Sequence, residues 1–475
     1  MSVTLNYDTG SYRDRDGRVF VDGNGGICRA LSAGALTEWN VVRQTRFFRE
    51  AVTSQRVIST ETLSDSAVMG DTPGASHWAG VLRHAVVPFV SYPYEWSFGM
   101  LQAAAYLHLE LLEQALAEDI TLKDGTAYNV QWIGTRPVFI DVASFERHIP
   151  GQAWAGYRQF CQTFLYPLLL QSYKNIPFQP WLRGCLDGIT PQECWNLMSF
   201  RDFFRRGVPS HVWLHSKLQS SRTVEEIDNT RALSASGFSK DLILANVAGL
   251  KRLIGGLRWK TSSSVWSGYA AAHGYSVPDR QSKEDFVRSA VHSQHWGLVW
   301  DLGCNTGDYS RIAAENADLV VAMDADHLTV ERLYQSLQSA PQPGAAPILP
   351  LVNNLVDPSV GLGWRGTERK ALLNRGRPDL TLCLALVHHL VIGHGIPLRE
   401  FLEWLAEMRT SLIIEFVSKQ DPMVQRLLRG RRDNYTDYEP DVFERWLSEL
   451  FHVEHSSRLA SGCRTLYFAK ARCAS

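Results

Sequence analysis

The 475-residue chain lacks long apolar runs and closely spaced cysteines. Its longest apolar stretches, such as FLYPLLL and LCLALV, are far shorter than the roughly 20 residues that a membrane-spanning helix needs. Its eight cysteines include no Cys-x-x-Cys pair, which argues against a zinc or disulfide framework. The N-terminus has no apolar segment of the kind found in secretory signals. These absences predict a cytoplasmic protein with no membrane partner.

An excess of charge of one sign is also missing, since 48 basic and 49 acidic residues leave a formal net charge of −1. Such a chain has no overall positive field to hold nucleic acid or an anionic surface. Nucleic acid is therefore not the expected partner. The length predicts more than one domain, because single hydrophobic cores rarely extend beyond about 250–300 residues.

A Ser- and Gly-rich run at 255–269 is the strongest candidate for a domain boundary. Residues 1–255, with a hairpin pattern at 18–31, a loop-like stretch at 64–77 and many helical segments, predict an α+β domain. Residues 256–279 are predicted to be a linker, and a helix capped by Ser282 is expected to follow.

Beyond the linker, strands alternate with helices to the end of the chain, which predicts a doubly wound α/β sheet for residues 280–475. A final strand pair around RLASGC predicts a terminal β-hairpin. The five strands predicted before this hairpin are Leu298–Asp301, Leu319–Asp324, Ile348–Val352, Leu380–Leu386 and Leu412–Phe416.

The first strand of this sheet runs into a glycine turn and a helix, in the stretch LVWDLGCNTGDYS at 298–310. A dinucleotide would place its pyrophosphate at the start of that helix, where the carboxylate of Asp308 would repel it. Asp301 precedes the turn, and Asp324 ends the next strand, where a carboxylate reaches ribose hydroxyls. The pattern favours a cationic, phosphate-free cofactor such as S-adenosylmethionine (SAM).

Together these motifs resemble the class I SAM-dependent methyltransferase family. The matching pieces are DLGCNTG, AMDAD, LCLALVHHL and the terminal HVEHSSRLASGCRTLYFAK. The resemblance implies a Rossmann-like methyltransferase sheet with SAM as its cofactor. It also implies that Asp301, Gly303 and Gly307 cradle the methionine part, that Asp324 binds the ribose, and that Asn354 contacts the adenine.

The departure from the family pattern is Asn305, which stands where the middle glycine of the turn is expected. Asparagine is among the few non-glycine residues that tolerate positive φ. We therefore expect the turn to persist and Asn305 to remain part of the cofactor site.

Three residues near strand ends are candidates for catalysis: His388, His389 and Glu415. Either histidine would be able to take a proton from a hydroxyl or amine acceptor, and only one is expected to face the cleft. The alternative for the histidines is stacking or packing, with catalysis by positioning alone. For Glu415 the alternatives are acceptor binding and a structural bond.

In the first half, LKDGTAYNVQWIGTRPVFID places Asp124, Asn129 and Asp141 at the spacing of a kinase catalytic loop and its metal-binding aspartate. The resemblance implies a kinase-like fold, in which these residues would hold magnesium and ATP if the domain were active. No lysine precedes Lys123, so the phosphate-pairing lysine is missing. An acceptor-binding domain and a loop-rich helical domain remain alternatives. No other metal site is predicted.

Across most of its length the chain also resembles a bacterial methyltransferase family that includes a rhizobial nodulation host-specificity protein. We therefore predict a SAM-dependent methyltransferase that transfers a methyl group to an O or N atom of a small-molecule or saccharide-type acceptor. A bifunctional kinase–methyltransferase and a non-catalytic SAM-binding regulator are the alternatives.

Overall fold

The computed structural model divides the chain into two compact units. The first comprises Met1–Lys260 with Gly361–Arg369, and the second comprises Thr261–Val360 with Lys370–Ser475. None of the described helices is long and apolar enough to cross a bilayer. The loop predicted at 64–77 and most of the predicted linker lie outside the described residues. These described residues are 6–63, 78–220, 239–260, 276–340, 342–430 and 432–472.

The first unit contains a five-stranded antiparallel sheet in the order β1-β2-β3-β5-β4. The hairpin predicted at 18–31 is present as β2 and β3. Two small antiparallel pairs, β6 with β9 and β7 with β8, follow later in the chain. The strands are Asn6–Tyr7 (β1), Gly17–Val21 (β2), Ile27–Leu31 (β3), Thr60–Leu63 (β4), Gly80–His84 (β5), Ile120–Leu122 (β6), Val130–Ile133 (β7), Arg136–Phe139 (β8) and Phe145–Arg147 (β9).

Helices make up most of the rest of this unit. The longest, Phe98–Ala117, begins where the hydroxyl of Ser97 accepts a hydrogen bond from the backbone N–H of Met100. Twelve of its 20 residues are buried, so it forms the centre of the helical part. The helices are Ala33–Val42 (α1), Arg46–Thr53 (α2), Phe98–Ala117 (α3), Tyr157–Phe160 (α4), Tyr166–Lys174 (α5), Gln179–Gly184 (α6), Pro191–Leu197 (α7), Leu214–Ser220 (α8) and Lys240–Gly256 (α9).

The short segment Gly361–Arg369 is bound to the N-terminal part of the first unit through Glu368, whose side chain is only 2% exposed. Its Oε1 accepts a hydrogen bond from Arg13 Nε at 2.7 Å, and its Oε2 accepts one from the Tyr12 hydroxyl at 2.8 Å. The guanidinium of Arg369 lies 4.2 Å from the ring centroid of Tyr128. Charge-assisted bonds and a cation–π contact therefore fix this segment.

The second unit is built on a seven-stranded sheet in the order β12-β11-β10-β13-β14-β16-β15. The pairs among β10 to β14 are parallel, and β16 lies antiparallel to both β14 and β15. The strands are Trp296–Leu302 (β10), Ala317–Asp324 (β11), Ile348–Val352 (β12), Leu380–Cys383 (β13), Ser411–Val417 (β14), Phe451–Arg458 (β15) and Arg464–Ala471 (β16). The helices are Val277–Val291 (α10), Asp308–Ala313 (α11), His327–Ser339 (α12), Leu398–Glu407 (α13), Pro422–Leu428 (α14) and Pro440–Leu450 (α15).

This sheet confirms the doubly wound α/β fold with a terminal antiparallel hairpin that the sequence predicts for residues 280–475. Of the predicted strands, Ile348–Val352 matches at both ends, three others differ by one or two residues at an end, and the largest differences are in one strand and one helix. The strand predicted at Leu380–Leu386 ends at Cys383, because Ala385 adopts a left-handed φ of 51° and turns the chain out of the sheet. The helix expected to begin after Ser282 begins at Val277, where Ser276 accepts a hydrogen bond from Asp279 N.

A buried ion cluster joins β14, β16 and α10. Glu415 Oε2 lies 2.7 Å from the ammonium of Lys283, and Glu415 Oε1 lies 3.6 Å from a guanidinium nitrogen of Arg464. Arg464 Nε in turn donates a hydrogen bond to Asp421 at 2.7 Å. All four side chains are at most 6% exposed. Each charge therefore depends on the others for compensation.

We expect Glu415→Gln to destabilise the second unit by about 3–5 kcal/mol, because it leaves buried cations without their carboxylate. Hydrogen exchange of the β14 and β16 amides would measure this as a lower opening free energy. A matched control is Glu403→Gln, which breaks an exposed ion pair with Arg399 and should cost less than about 1 kcal/mol. Equal losses in the two variants would contradict the structural role of Glu415.

Candidate cofactor site

A cavity of about 410 Å³ lies at the carboxyl ends of β10, β11, β12 and β13. Ligands of open α/β sheets bind at this edge, beside the point where the strand order reverses. In the second unit that point lies between β10 and β13, since the chain runs from β10 outward to β12 and then returns. Most of the predicted cofactor residues line the cavity: Asp301, Gly303, Asn305, Asp324 and Asn354.

The glycine turn adopts left-handed backbone at three positions. The φ angles are 72° at Gly303, 48° at Asn305 and 81° at Gly307. Asn305 therefore keeps the turn, as its tolerance of positive φ predicts. Gly307 does not line the cavity; a Cβ there would lie 2.5 Å from Leu333 Cδ1, so its role is close packing of the turn against α12.

The turn is tied to the end of β11 by three hydrogen bonds: the backbone N–H groups of Gly303 and Cys304 donate to the carbonyl of Met323, and the third reaches the side chain of Asp324. The backbone N–H of Asn305 donates to Asp324 Oδ2 at 2.9 Å, and the N–H of Asp326 donates to Oδ1 at 2.8 Å. Asp324 thus holds two loops and still lines the cavity. Burial raises the pKa of Asp324 above its usual range, while these backbone donors oppose the shift.

Asp301, at the end of β10, is 2% exposed and accepts a hydrogen bond from the Ser310 hydroxyl at 2.5 Å. Burial raises the pKa of Asp301 to about 7, although the Ser310 hydroxyl opposes the shift. Two desolvated carboxylates on adjacent strands both favour a cationic ligand, since a nearby positive charge stabilises their ionised form.

At the end of β12 the structure distinguishes two consecutive asparagines. Asn354, predicted from the sequence, lines the cavity, but its Oδ1 accepts a hydrogen bond from Val356 N at 3.1 Å. Asn353 also lines the cavity, is 4% exposed, and has no hydrogen-bond partner for either side-chain polar atom within the described part of the chain. A buried amide of this kind needs a partner, and a heterocycle with a donor and an acceptor would supply one.

The cavity is also lined by side chains that the sequence did not single out. Lys283 extends from α10 with its ammonium 4.6 Å from the ring centroid of Tyr309, and both residues line the cavity. Arg280, one turn earlier, lies 3.5 Å from the carboxylate of Asp308. The cavity therefore has acidic and basic groups, as a zwitterionic amino-acid moiety requires.

The two histidines after β13 are placed differently. His389 lines the cavity, and burial lowers its pKa to about 4, with the neighbouring His394 adding to the shift. His388 is fully buried outside the cavity lining, and its two ring nitrogens lack hydrogen-bond partners among the described residues. The sequence predicts that both histidines lie at a strand end, with alternation along the strand turning one of them to the cleft; the structure corrects this, because β13 ends at Cys383 and both histidines lie in helical backbone.

Glu415 does not line the cavity, and its contacts are those of a structural ion pair with Lys283 and Arg464. Of the two interpretations that the sequence left open, acceptor binding and a structural bond, the contacts match the second. Glu415 acts on the site through Lys283, whose ammonium it holds at the wall of the cavity.

In the first unit, Asp124 follows β6, Asn129 ends a 3₁₀ turn, and Asp141 follows β8. Asp141 lies 2.7 Å from a guanidinium nitrogen of Arg29 on β3. Burial raises the pKa of Asp124 to about 6, and Asp141 adds to the shift. Across the described ranges, no group of three His, Cys, Asp or Glu side chains is placed to hold a metal ion. The kinase-like fold, with ATP and magnesium, stays a prediction without support.

Comparison with known proteins gives one curated relative that spans nearly the whole chain. Nodulation protein NoeA of Rhizobium meliloti (strain 1021) is 36% identical over 461 residues, which cover 96% of this chain and 94% of that protein. No family model matches the chain.

Among solved structures, the N-methyltransferase NodS from Bradyrhizobium japonicum WM9 is similar, with a TM-score of 0.30, 12% identity, and coverage of 42% of this chain and 99% of that one. Magnesium protoporphyrin IX methyltransferase (ChlM) from Synechocystis PCC 6803 with bound SAM is similar, with a TM-score of 0.30, 17% identity, and coverage of 45% and 88%.

The match to NoeA decides the classification, because it combines 36% identity with coverage of 96% of this chain. The chain belongs to the family of the rhizobial nodulation protein NoeA.

Proposed function

We propose that the second unit binds SAM and transfers its methyl group to an O or N nucleophile of a small-molecule or saccharide-type acceptor. The observation that carries the proposal is a pair of carboxylates, the buried Asp301 and the half-buried Asp324, at the ends of two adjacent parallel strands on either side of a left-handed glycine turn. Such a site favours a cation and disfavours a phosphate.

The chain's own groups match the parts of this cofactor. Asp301 and the backbone of Gly303 would hold the ammonium of the methionine part, and Lys283 with Arg280 would face its carboxylate. Asp324 would accept hydrogen bonds from the ribose hydroxyls, as a carboxylate at the end of the second strand does. Asn353, rather than Asn354 alone, would meet the polar edge of the adenine.

When bound, the cofactor supplies an electrophilic methyl group on a sulfonium. The work of the protein is to hold the acceptor atom in line with that group and to exclude water. His389 is the cavity-lining side chain that would receive the acceptor's hydrogen bond. Because burial keeps its pKa near 4, the imidazole is neutral at pH 7 and is a weak base. We therefore assign it a positioning role.

The acceptor class is inferred from the overall charge of the chain. A near-neutral chain lacks the positive field that bulk nucleic acid requires, so a small molecule or saccharide is favoured. A non-catalytic SAM-binding regulator has the same cofactor contacts and differs only in turnover. Incubation with labelled SAM and bacterial extract, with mass spectrometry for acceptors that gain one CH₂, separates the two: unchanged SAM and unlabelled metabolites would refute the enzyme.

Asp324→Asn tests the ribose contact. It should weaken SAM binding by about 1–3 kcal/mol, the scale of a lost hydrogen bond to a charged group. Isothermal titration calorimetry measures the change. Asp318→Asn is the matched control, because Asp318 lies on the same strand but is 72% exposed and pairs with His295. Equal affinity in Asp324→Asn and in the unmodified protein would remove the assignment.

The raised pKa of Asp301 predicts that SAM affinity depends on pH. A bound cation favours the carboxylate, so affinity should be full above pH 8 and should fall as the pH drops through about 7, approaching tenfold per unit. Titration calorimetry from pH 6 to 8.5 measures this.

The Asp301→Asn variant should bind SAM more weakly at every pH. Any pH dependence that remains in this variant reports the ionisation of SAM itself, because the contribution of Asp301 is absent. Ser310→Ala removes a donor that lowers the pKa of Asp301, so its profile should shift to higher pH. If the SAM affinities of the unmodified protein and of Asp301→Asn changed with pH in the same way, the assignment to Asp301 would be contradicted.

His389→Ala should lower turnover by about tenfold to a hundredfold with little change in SAM affinity, because a lost positioning contact acts on the transition state. His389→Gln keeps a hydrogen-bonding group and should recover most of the turnover. Methyl transfer from labelled SAM into the small-molecule fraction measures both. A Gln variant as slow as the Ala variant would show that the imidazole moves the proton.

A further inference from the structure

The first unit carries a patch of exposed apolar side chains between residues 200 and 218, outside the sites described above. Phe200 is 81% exposed and Phe204 is 72% exposed, which is unusual for phenylalanine. On α8, Leu214 and Leu218 are 45% and 58% exposed. We call Phe200, Phe203, Phe204, Trp213, Leu214 and Leu218 the 200–218 patch.

Ring contacts join the four aromatic members of this patch. The ring centroids of Phe200 and Phe204 are 5.6 Å apart, and those of Phe203 and Phe204 are 5.5 Å apart. Phe203 also meets Trp213 at 5.7 Å, in an edge-to-face arrangement. Leu214 and Leu218 are four residues apart on α8 and so share one face of the helix. An exposed apolar surface of this kind marks an interaction site.

Within residues 195–218, the exposed charges have one sign. From Trp195 to Leu218 the sequence contains Arg201, Arg205, Arg206 and Lys217, all of them exposed, and a single acidic residue, Asp202. The carboxylate of Asp202 is 4% exposed and is paired with Lys174 and Arg205, so it offers no negative charge to a partner. The near-neutral chain therefore concentrates positive charge beside its exposed aromatic rings.

We propose that the 200–218 patch docks the protein on the surface of an anionic phospholipid bilayer. Phenylalanine, tryptophan and leucine would enter the boundary between headgroups and acyl chains, and the arginines would face the lipid phosphates. This attachment is interfacial and needs no spanning helix. It revises the expectation of no membrane partner, which was based on net charge and apolar run length.

Charge complementarity favours this occupant over the others. A second copy pairing patch to patch would bring the arginines of the two copies together, which like-charge repulsion opposes. A further candidate occupant is the segment 221–238, which follows the patch in sequence and lies outside the described residues. It contains three acidic and two basic residues, so its net charge is opposite to that of the arginines. The experiment must separate these cases.

The test is co-sedimentation of the full chain with vesicles of phosphatidylcholine alone and of phosphatidylcholine with phosphatidylglycerol. We expect binding to the mixed vesicles, loss of binding at high salt, and little binding to phosphatidylcholine. Phe200→Ser with Phe204→Ser should weaken binding at least tenfold. Arg201→Gln with Arg206→Gln should weaken it on the order of tenfold or more, since each charge near an anionic surface contributes about fivefold.

The matched control is Trp364→Ser, because Trp364 is 66% exposed in the same unit but lies outside the patch; it should bind as the unmodified protein does. Equal thermal stability of the variants would show that they fold. Failure of the full chain to bind mixed vesicles would overturn the proposal. This holds even if a variant lacking residues 222–237 binds, because the segment would then cover the patch in the full chain. A dimer that Phe200→Ser with Phe204→Ser abolishes, without vesicle binding, would also overturn it.

Discussion

The hydrogen bond from the Asn305 backbone to the Asp324 carboxylate is the contact on which the candidate site depends. It joins the turn after β10 to the end of β11, and it fixes a carboxylate in a place where burial opposes ionisation. Together with Asp301 on the neighbouring strand, Asp324 places two carboxylates side by side at the cavity. The proposed cofactor and its pH dependence both follow from these two carboxylates.

The buried ion cluster has a second role in this electrostatic arrangement. Glu415 holds Lys283 at the cavity that the two aspartates also line, and Arg464 pairs with both Glu415 and Asp421. Because each partner is buried, the ammonium has little freedom to turn elsewhere. A residue that does not line the cavity thus shapes its charge, which accounts for a carboxylate within the apolar run LIIEFV.

The sheet of the second unit could be predicted because its strands are continuous apolar runs. The predicted bounds of β12 agree with the structure at both ends. The sequence predicts too long a strand at Leu380–Leu386, since no local pattern indicates the left-handed backbone of Ala385. The sequence predicts Asn354 alone, because it does not show that both asparagines line the cavity or that only the side chain of Asn353 is left without a partner among the described residues. The partners of Glu415 were unpredictable for another reason: Lys283 lies 132 positions away, and only the folded sheet brings them together.

The attachment of Gly361–Arg369 to the first unit has a consequence for how the chain can be divided. Both flanking stretches of sequence belong to the second unit, so no single cut separates the two. A fragment that starts after the linker would retain Glu368 while losing Tyr12 and Arg13, and its carboxylate would be left without these partners. Gene fusion or fission at the apparent boundary would therefore be penalised, and the two halves are expected to be inherited together.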